Sequence, residues 1–222
     1  MTKSEKILGC LYIPFHAAIL PFIMVLVFVV FNIEISGPHQ MLVYFTISFL
    51  LILLIMFKFL RASFSDFIDV FWRAVQAVIL GYVMYRVLLW VAVLTLTQIM
   101  TDVNPNQQSV VADVYANFNV MIVVTVILAP IVEESMFRGA LFGTIRQKSR
   151  VAAYIASILL FSVFHLWDNL VFNFSWDVLF MVVQYIPASI ALTWCYDRSG
   201  TIWSPILLHS AINLVATLQI TR

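Results

Sequence analysis

Three formal charges lie close together in a segment of the chain that is otherwise apolar. Glu133, Glu134 and Arg138 fall within residues 131–139, between residues apolar enough to cross a bilayer. A charged side chain near mid-membrane costs at least about 2.5–3.5 kcal/mol on insertion scales. The cluster therefore indicates an internal polar network or a site of chemistry. Glu134 and Arg138 have the i, i+4 spacing that favours an ion pair, which leaves Glu133 directed elsewhere around the helix.

Two histidines lie in other apolar segments. His165 lies at the end of one such segment. His209 precedes Asn213 by one helical turn in another, so these two share a helix face. Glu133 and His165 are each about 16 residues from Ser149 in a short basic turn, and therefore ~24 Å from it on adjacent antiparallel helices. This spacing predicts that Glu133 and His165 face each other. It also predicts that all four polar groups lie in the cytoplasmic half of the bilayer.

A carboxylate, two imidazoles and a carboxamide at one depth suggest hydrolysis. Glu133 and His165 would activate water, while His209 and Asn213 would stabilise an oxyanion. Alternatively, Glu133, His165 and His209 would hold a divalent metal such as zinc, with one coordination position open. The sequence leaves both mechanisms open. It contains no HExxH zinc motif and no Gly-x-Ser of a serine protease.

The elements that would position these residues are transmembrane helices. The 222 residues are 63% hydrophobic and 10% charged, with a mean hydropathy of +1.02, whereas soluble domains carry about 25% charged residues. A span needs about 20 apolar residues. We therefore expect an all-α, polytopic transmembrane helix bundle of about seven spans, the first retained and not cleaved as a signal peptide. The spans are about 11–33, 41–60, 74–100, 119–142, 151–166, 178–195 and 205–220.

Basic residues fall on one side of this arrangement. That side holds Lys3, Lys6, Lys58, Arg61, Arg73, Arg146, Lys148, Arg150 and Arg198, and the other holds Glu34, Asp102, Asp113, Asp168 and Asp177, with Arg222. The positive-inside rule then predicts a cytoplasmic N-terminus. Residues 61–73 show the apolar spacing of a short interfacial helix. We expect two parts: 1–118, with three spans and this interfacial loop, and 119–222, a four-helix catalytic core whose last helix starts with Ser204 as N-cap.

Residues outside the cluster are interpreted more simply. Arg86 lies about 12 residues into the third span, near the depth of Glu133. It would either pair with Glu134, extend toward the membrane surface, or bind a substrate carboxylate. Cys10 and Cys195 are expected to be reduced, and His16 is given no role.

The three polar motifs together resemble those of the CPBP family of intramembrane proteases. This family includes type II CAAX prenyl proteases and proteins related to abortive infection and bacteriocin immunity. The resemblance rests on Glu133-Glu134-x-x-x-Arg138, Phe161-x-x-x-His165 and His209-x-x-x-Asn213. It implies that Glu133, His165, His209 and Asn213 are catalytic, that Glu134, Arg138 and Phe161 support them, and that membrane-associated peptides are cleaved near the cytoplasmic face.

An intramembrane endopeptidase is therefore the first hypothesis, and a non-catalytic membrane scaffold or bacteriocin-immunity factor is the alternative. A transporter is a distant third, because the loops are short and no repeat is present. The expected partners are the lipid bilayer, with a bacterial cytoplasmic membrane as the location, and a peptide or protein substrate. No basic run suggests nucleic-acid binding.

Overall fold

A computed structural model describes residues 1–96 and 104–221, and the regular elements in these two ranges are helices. Asp102, Arg222 and the end of the predicted third span lie outside the described residues. The helices are α1 (Lys3–Val30), α2 (Gly37–Asp69), α3 (Phe71–Leu96), α4 (Pro105–Ala116), α5 (Phe118–Ile145), α6 (Arg150–Phe164), α7 (Trp167–Phe172), α8 (Trp176–Ser199) and α9 (Trp203–Ile220).

Helices α1, α2, α3, α5 and α8 are each long and apolar enough to cross a membrane. The apolar helix α6 is shorter, and α9 has 18 residues. The all-α bundle is confirmed, and the chain is an integral, multi-pass membrane protein. The count of seven spans, the cytoplasmic N-terminus and the division at residue 118 stay predictions.

The connections that carry basic residues meet at one end of the bundle, here called the basic end. Arg73 donates to the carbonyl of Ser199 at 2.9 Å. Arg146 forms an ion pair with Asp197 at 3.0 Å, and Nε of Arg150 donates to the same carboxylate at 2.8 Å. The opposite end, here called the far end, holds the start of α2, helix α4, helix α7 and the end of α9. Basic side chains of the connections thus lie together at one end of the bundle, where Asp197 pairs with two of them.

Several helices depart from regular α geometry near the middle of the bundle. Segments Phe15–Ile19, Val123–Leu128 and Ser135–Phe142 are π-helical, and π turns are frequent at functional sites. Pro130 follows the second of these segments, where its missing amide removes a helical hydrogen bond. Met56 kinks α2, and just beyond it the amide of Phe59 donates to Glu5 at 2.8 Å.

Two local predictions are wrong. Residues 61–73 do not form a separate interfacial helix, because α2 continues to Asp69 and only Val70 separates it from α3. No glycine or proline lies between residues 40 and 69, so nothing in the sequence ends the helix near residue 61. Ser204 is not an N-cap either, because α9 begins at Trp203. The amide of Ile202 instead donates to Ser63 of α2 at 2.9 Å, so a neighbouring helix supplies the cap.

Small residues let the N-terminal helices approach the helices that carry the motifs. A Cβ on Gly9 would lie 2.7 Å from Cβ of Ala140, so α1 packs closely on α5. A Cβ on Gly139 would lie 3.0 Å from Met56, and one on Gly81 would lie 2.7 Å from Leu208. Such close contacts hold helices together in membranes, where packing replaces the hydrophobic effect. Helices α1 to α3 therefore fix the position of α5 and α9.

Candidate active site

The predicted ion pair between Glu134 and Arg138 forms the base of the site. Nη1 of Arg138 lies 3.0 Å from Oε1 of Glu134, and both side chains are fully buried. Nη2 of Arg138 also donates to the carbonyl and the hydroxyl of Ser189 in α8, at 3.2 and 3.0 Å. The guanidinium lies over the ring of Phe161, 4.3 Å from its centroid. This cation therefore joins helices α5, α6 and α8, and buried charges need such partners.

Glu134 also fixes the orientation of His209. Nδ1 of His209 lies 2.9 Å from Oε1 of Glu134. A carboxylate only accepts hydrogen bonds, so His209 carries its proton on Nδ1 and directs Nε2 away from this pair. His209 is 6% exposed and belongs to α9. The carboxylate of α5 thus sets the tautomer and ring position of a histidine on another helix.

Glu133 lies between the two histidines. Its Oε2 is 3.8 Å from Nε2 of His165 and 4.0 Å from Nε2 of His209. Both distances exceed a hydrogen bond, and they allow one water-sized group to lie between the carboxylate and either ring. Within the described residues, Oε2 of Glu133 makes no hydrogen bond although it is buried. The equal spacing about Ser149 therefore did bring Glu133 and His165 face to face.

His165 is held from two sides. Its Nδ1 lies 2.9 Å from the carbonyl of Phe161, so this nitrogen donates and Nε2 faces Glu133. Its ring stacks on Tyr185 of α8, with centroids 4.4 Å apart and an interplanar angle of 26°. The hydroxyl of Tyr185 accepts a hydrogen bond from Asn106 at 2.9 Å. The side chain of His165 is 17% exposed and that of His209 is 7% exposed. The contacts with Phe161 and Tyr185 nevertheless fix the position of the His165 ring.

Asn213 lies one turn beyond His209 on α9. Its Nδ2 donates to the carbonyl of Thr125 at 2.8 Å, in the π-helical segment of α5. A carboxamide nitrogen carries two hydrogens, so the second remains available. Asn213 and the two histidines all line one cavity.

This cavity has a volume of about 1150 Å³ and extends from the site toward the far end of the bundle. Its lining residues in α8 include Tyr185 and Ala188, and in α9 they run from His209 to Ile220. The layer between the site and the basic end is filled instead by fully buried side chains, such as Phe142, Cys195 and Leu208. The site therefore opens away from the basic turn. The resemblance implied cleavage near the cytoplasmic face, which stays a prediction.

Arg86 lines the same cavity from α3. Its side chain is exposed to the cavity, and it forms no ion pair or hydrogen bond with residues 1–96 or 104–221. Glu134 pairs with Arg138 and His209 instead. The reading of Arg86 as a partner of Glu134 is therefore wrong, and the binding of a substrate carboxylate stays a prediction.

The carboxylate of Glu133 and the imidazoles of His165 and His209 are donor types that suit a divalent metal, but they lie too far apart to share one ion. Each histidine directs Nε2 toward Glu133 and engages Nδ1 with an oxygen, as metal-bound histidines commonly do. Across the described ranges, however, no group of three or more His, Cys, Asp or Glu side chains is placed so that it could hold an ion. Glu133, His165 and His209 would have to move closer together to bind zinc.

Some residues of the site gave no signal in the sequence. Ser189 and Tyr185 belong to no motif, and their roles depend on which face of α8 meets Arg138 and His165. His16 was given no role, yet it is fully buried, and its Nδ1 lies 3.0 Å from the hydroxyl of Ser48. Its ring stacks on Phe164, with centroids 5.6 Å apart, so α1 packs directly beside the residue that precedes His165.

Comparison with known families identifies the region that holds the site. Residues 115–215 match the model of a family described as type II CAAX prenyl endopeptidase Rce1-like. The match covers less than half of the chain and shows that this region is similar to the Rce1-like family. The Rce1-like region contains Glu133, Glu134, Arg138, Phe161, His165, His209 and Asn213. Helices α1 to α3 lie outside it.

The curated relatives are UPF0177 proteins of Lactococcus lactis subsp. lactis strain IL1403. YaiF is 40% identical over 90 residues, which are 39% of this chain and 34% of the relative. YxdF is 32% identical over 88 residues, which are 40% of this chain and 43% of the relative. The matches thus span less than half the length of these relatives, and their names state no function. No solved structure matches the chain.

Proposed function

We propose that this protein is an intramembrane endopeptidase that hydrolyses membrane-associated peptides or proteins, located in a bacterial cytoplasmic membrane. The proposal rests mainly on the convergence of Glu133, His165 and His209 at the closed end of a large cavity. The match of residues 115–215 to the Rce1-like family model supports it, because that family is described as endopeptidases. Lactococcal relatives support the bacterial location.

In the proposed reaction, Glu133 acts as the general base. A water molecule between Glu133 and His165 would give its proton to the Glu133 carboxylate and attack the scissile carbonyl. Nε2 of His165 accepts a hydrogen bond from this water, since its Nδ1 is occupied by Phe161. Glu133 then returns the proton to the leaving amine, so the carboxylate is regenerated and the peptide bond is replaced by an acid and an amine.

The oxyanion of the tetrahedral intermediate needs donors on the other side of the carbonyl. The free hydrogen of the Asn213 carboxamide is one such donor. Nε2 of His209, which is directed toward Glu133, would be the second donor when it carries a proton. Arg138 holds Glu134 in place and does not touch the substrate.

Glu133, His165 and His209 are also the residues that would hold a metal. A bound zinc ion would supply an acidified water and polarise the carbonyl. With or without zinc, Glu134 orients His209 and the carbonyl of Phe161 orients His165.

The test is a comparison of newly formed protein termini in membranes that carry the wild type or Glu133→Gln. We expect new termini with the wild type and their loss with the variant, by a factor of about 10²–10⁴ in rate. Glu34→Gln is the matched control, because it makes the same chemical change at an exposed loop residue outside the cavity. Equal termini from a folded Glu133→Gln variant would refute the proposal and favour the scaffold or immunity role.

A further inference from the structure

The two ends of the bundle differ in both charge and access. At the basic end, Arg146 and Arg150 bind Asp197, and the hydroxyl of Thr201 donates to the carbonyl of Ser63 at 2.8 Å. These contacts tie the ends of α2, α5 and α8 together. The far end carries acidic residues, namely Glu34, Asp113, Asp168 and Asp177. The positive-inside rule predicts that the basic end is cytoplasmic.

The cavity is lined by the halves of the helices that lie toward the far end. The lining begins at Ala17 in α1, ends at Phe45 in α2, and runs from Tyr82 to Leu89 in α3. In α5 it ends at Glu133, one turn before the buried Arg138. The far halves of the spanning helices therefore supply the cavity wall, while the residues that follow Glu133 in α5 are packed core.

The far mouth of the cavity carries carboxamides. Asn104, Asn106, Gln107, Gln184 and Gln219 all line it. Asn104 and Asn106 are engaged with Gln184 and Tyr185, whereas Gln107 and Gln219 are exposed. A neutral carboxamide both donates and accepts, so it can pair with a peptide bond without bringing charge into the membrane.

Most of the remaining wall is aliphatic or aromatic, and its aromatic side chains include Tyr44, Tyr82, Tyr85, Phe164 and Tyr185. The volume of about 1150 Å³ exceeds the roughly 300–1,000 Å³ of typical small-molecule sites. Such a cavity suits an extended chain with apolar side chains better than a small polar metabolite.

From this geometry we infer that the site is entered from the extracytoplasmic side of the membrane, and that it takes an extended polypeptide segment presented there. The polypeptide substrate in this inference rests on the proposed endopeptidase function, whereas the side of entry does not. The resemblance to the CPBP family implied cleavage near the cytoplasmic face, and the direction of the cavity argues for the opposite face. Helices α1 to α3 would then form the entrance wall for the substrate.

Access is tested by labelling single cysteines in intact bacterial cells with a charged, membrane-impermeant methanethiosulfonate. The background is Cys10→Ser with Cys195→Ala, since both cysteines are free. Gln219→Cys reports on the mouth, Ala188→Cys on the inner cavity and Gln147→Cys on the basic turn. Leu54→Cys is the control for lipid exposure, because Leu54 is 80% exposed on a spanning helix.

We expect Gln219→Cys and Ala188→Cys to be labelled in intact cells, and Gln147→Cys only after permeabilisation. Leu54→Cys should stay unlabelled in both conditions, because lipid excludes the charged reagent. Labelling of Gln147→Cys from outside would show an inverted topology and overturn the inference. Labelling of the two cavity positions only after permeabilisation would also overturn it.

The substrate class is tested with the termini that depend on Glu133. We expect them to map to extracytoplasmic segments of membrane or exported proteins. Cytoplasmic cleavage sites would overturn the inference while leaving the endopeptidase function intact. The absence of any such termini would instead refute both the endopeptidase function and the polypeptide substrate. The labelling result would still decide the side of entry.

Discussion

The carboxylate of Glu134 accepts a hydrogen bond from Nδ1 of His209 at 2.9 Å, across the interface of α5 and α9. The same oxygen binds Arg138 at 3.0 Å. Glu134 therefore orients a histidine in addition to neutralising a buried cation. This is the arrangement in which a carboxylate sets the tautomer and basicity of a functional imidazole.

Replacing Glu134 separates these two roles. Glu134→Gln keeps an oxygen that can accept from His209 but removes the charge, so we expect a fall of about 10- to 100-fold in the rate of substrate cleavage. Initial rates with the peptide recovered from membrane termini measure this effect. An unchanged rate would mean that cleavage does not need the charge of Glu134 and that a neutral acceptor is enough to orient His209.

Arg138 should matter for stability more than any surface cation. Arg138→Met leaves Glu134 as an uncompensated buried charge, which costs roughly 3–5 kcal/mol. Thermal unfolding in detergent, followed by size-exclusion chromatography, measures the loss. Arg150→Gln is the comparison, because Arg150 is 69% exposed and Arg146 still pairs with Asp197. Its expected cost is less than about 1 kcal/mol.

Arg86 should affect binding but not folding. It has no ion-pair partner in the described parts of the chain and lines the cavity. We expect Arg86→Gln to raise KM about 10- to 100-fold for a substrate with a free carboxylate, with an unchanged unfolding midpoint. The amidated form of the same peptide is the control and should bind both proteins alike. A lowered unfolding midpoint would instead indicate a structural role.

Zinc binding is tested apart from catalysis. If Glu133, His165 and His209 close around an ion, added zinc stabilises the wild type by about 2.7 kcal/mol at 100 times the dissociation constant. In that case the unfolding temperature rises with added zinc, and His165→Ala removes the rise. His39→Ala is the matched control, because His39 lies in α2 outside the cavity. The absence of any shift would favour Glu133 acting without a metal.

The sequence predicted the part of the site that depends on helix rise. Equal distances from one turn place Glu133 and His165 at one depth whatever the other helices do. The i, i+4 spacing of Glu134 and Arg138 is equally local. Both features need only regular helices and a short connection.

Features set by packing between distant helices could not be predicted. Ser189 meets Arg138 because α8 turns one particular face toward α5, and Ser63 caps α9 because α2 passes beside it. The direction of the cavity is of the same kind. It depends on which half of each helix is filled by neighbours, and the sequence of a single helix does not carry this information.

Tyr185 is a positioning residue whose effect can be isolated. Its ring stacks on His165, and its hydroxyl binds Asn106 of α4 at 2.9 Å. Tyr185→Ala removes the stacking surface, so we expect a lower kcat than in Tyr185→Phe, which loses only the hydroxyl.

Tyr185→Phe and Asn106→Ala each remove the same hydrogen bond. Their effects on kcat and on the unfolding midpoint should therefore be non-additive in the double variant, with a coupling of about 0.5–3 kcal/mol. Additive effects would show that α4 does not act on His165 through Tyr185.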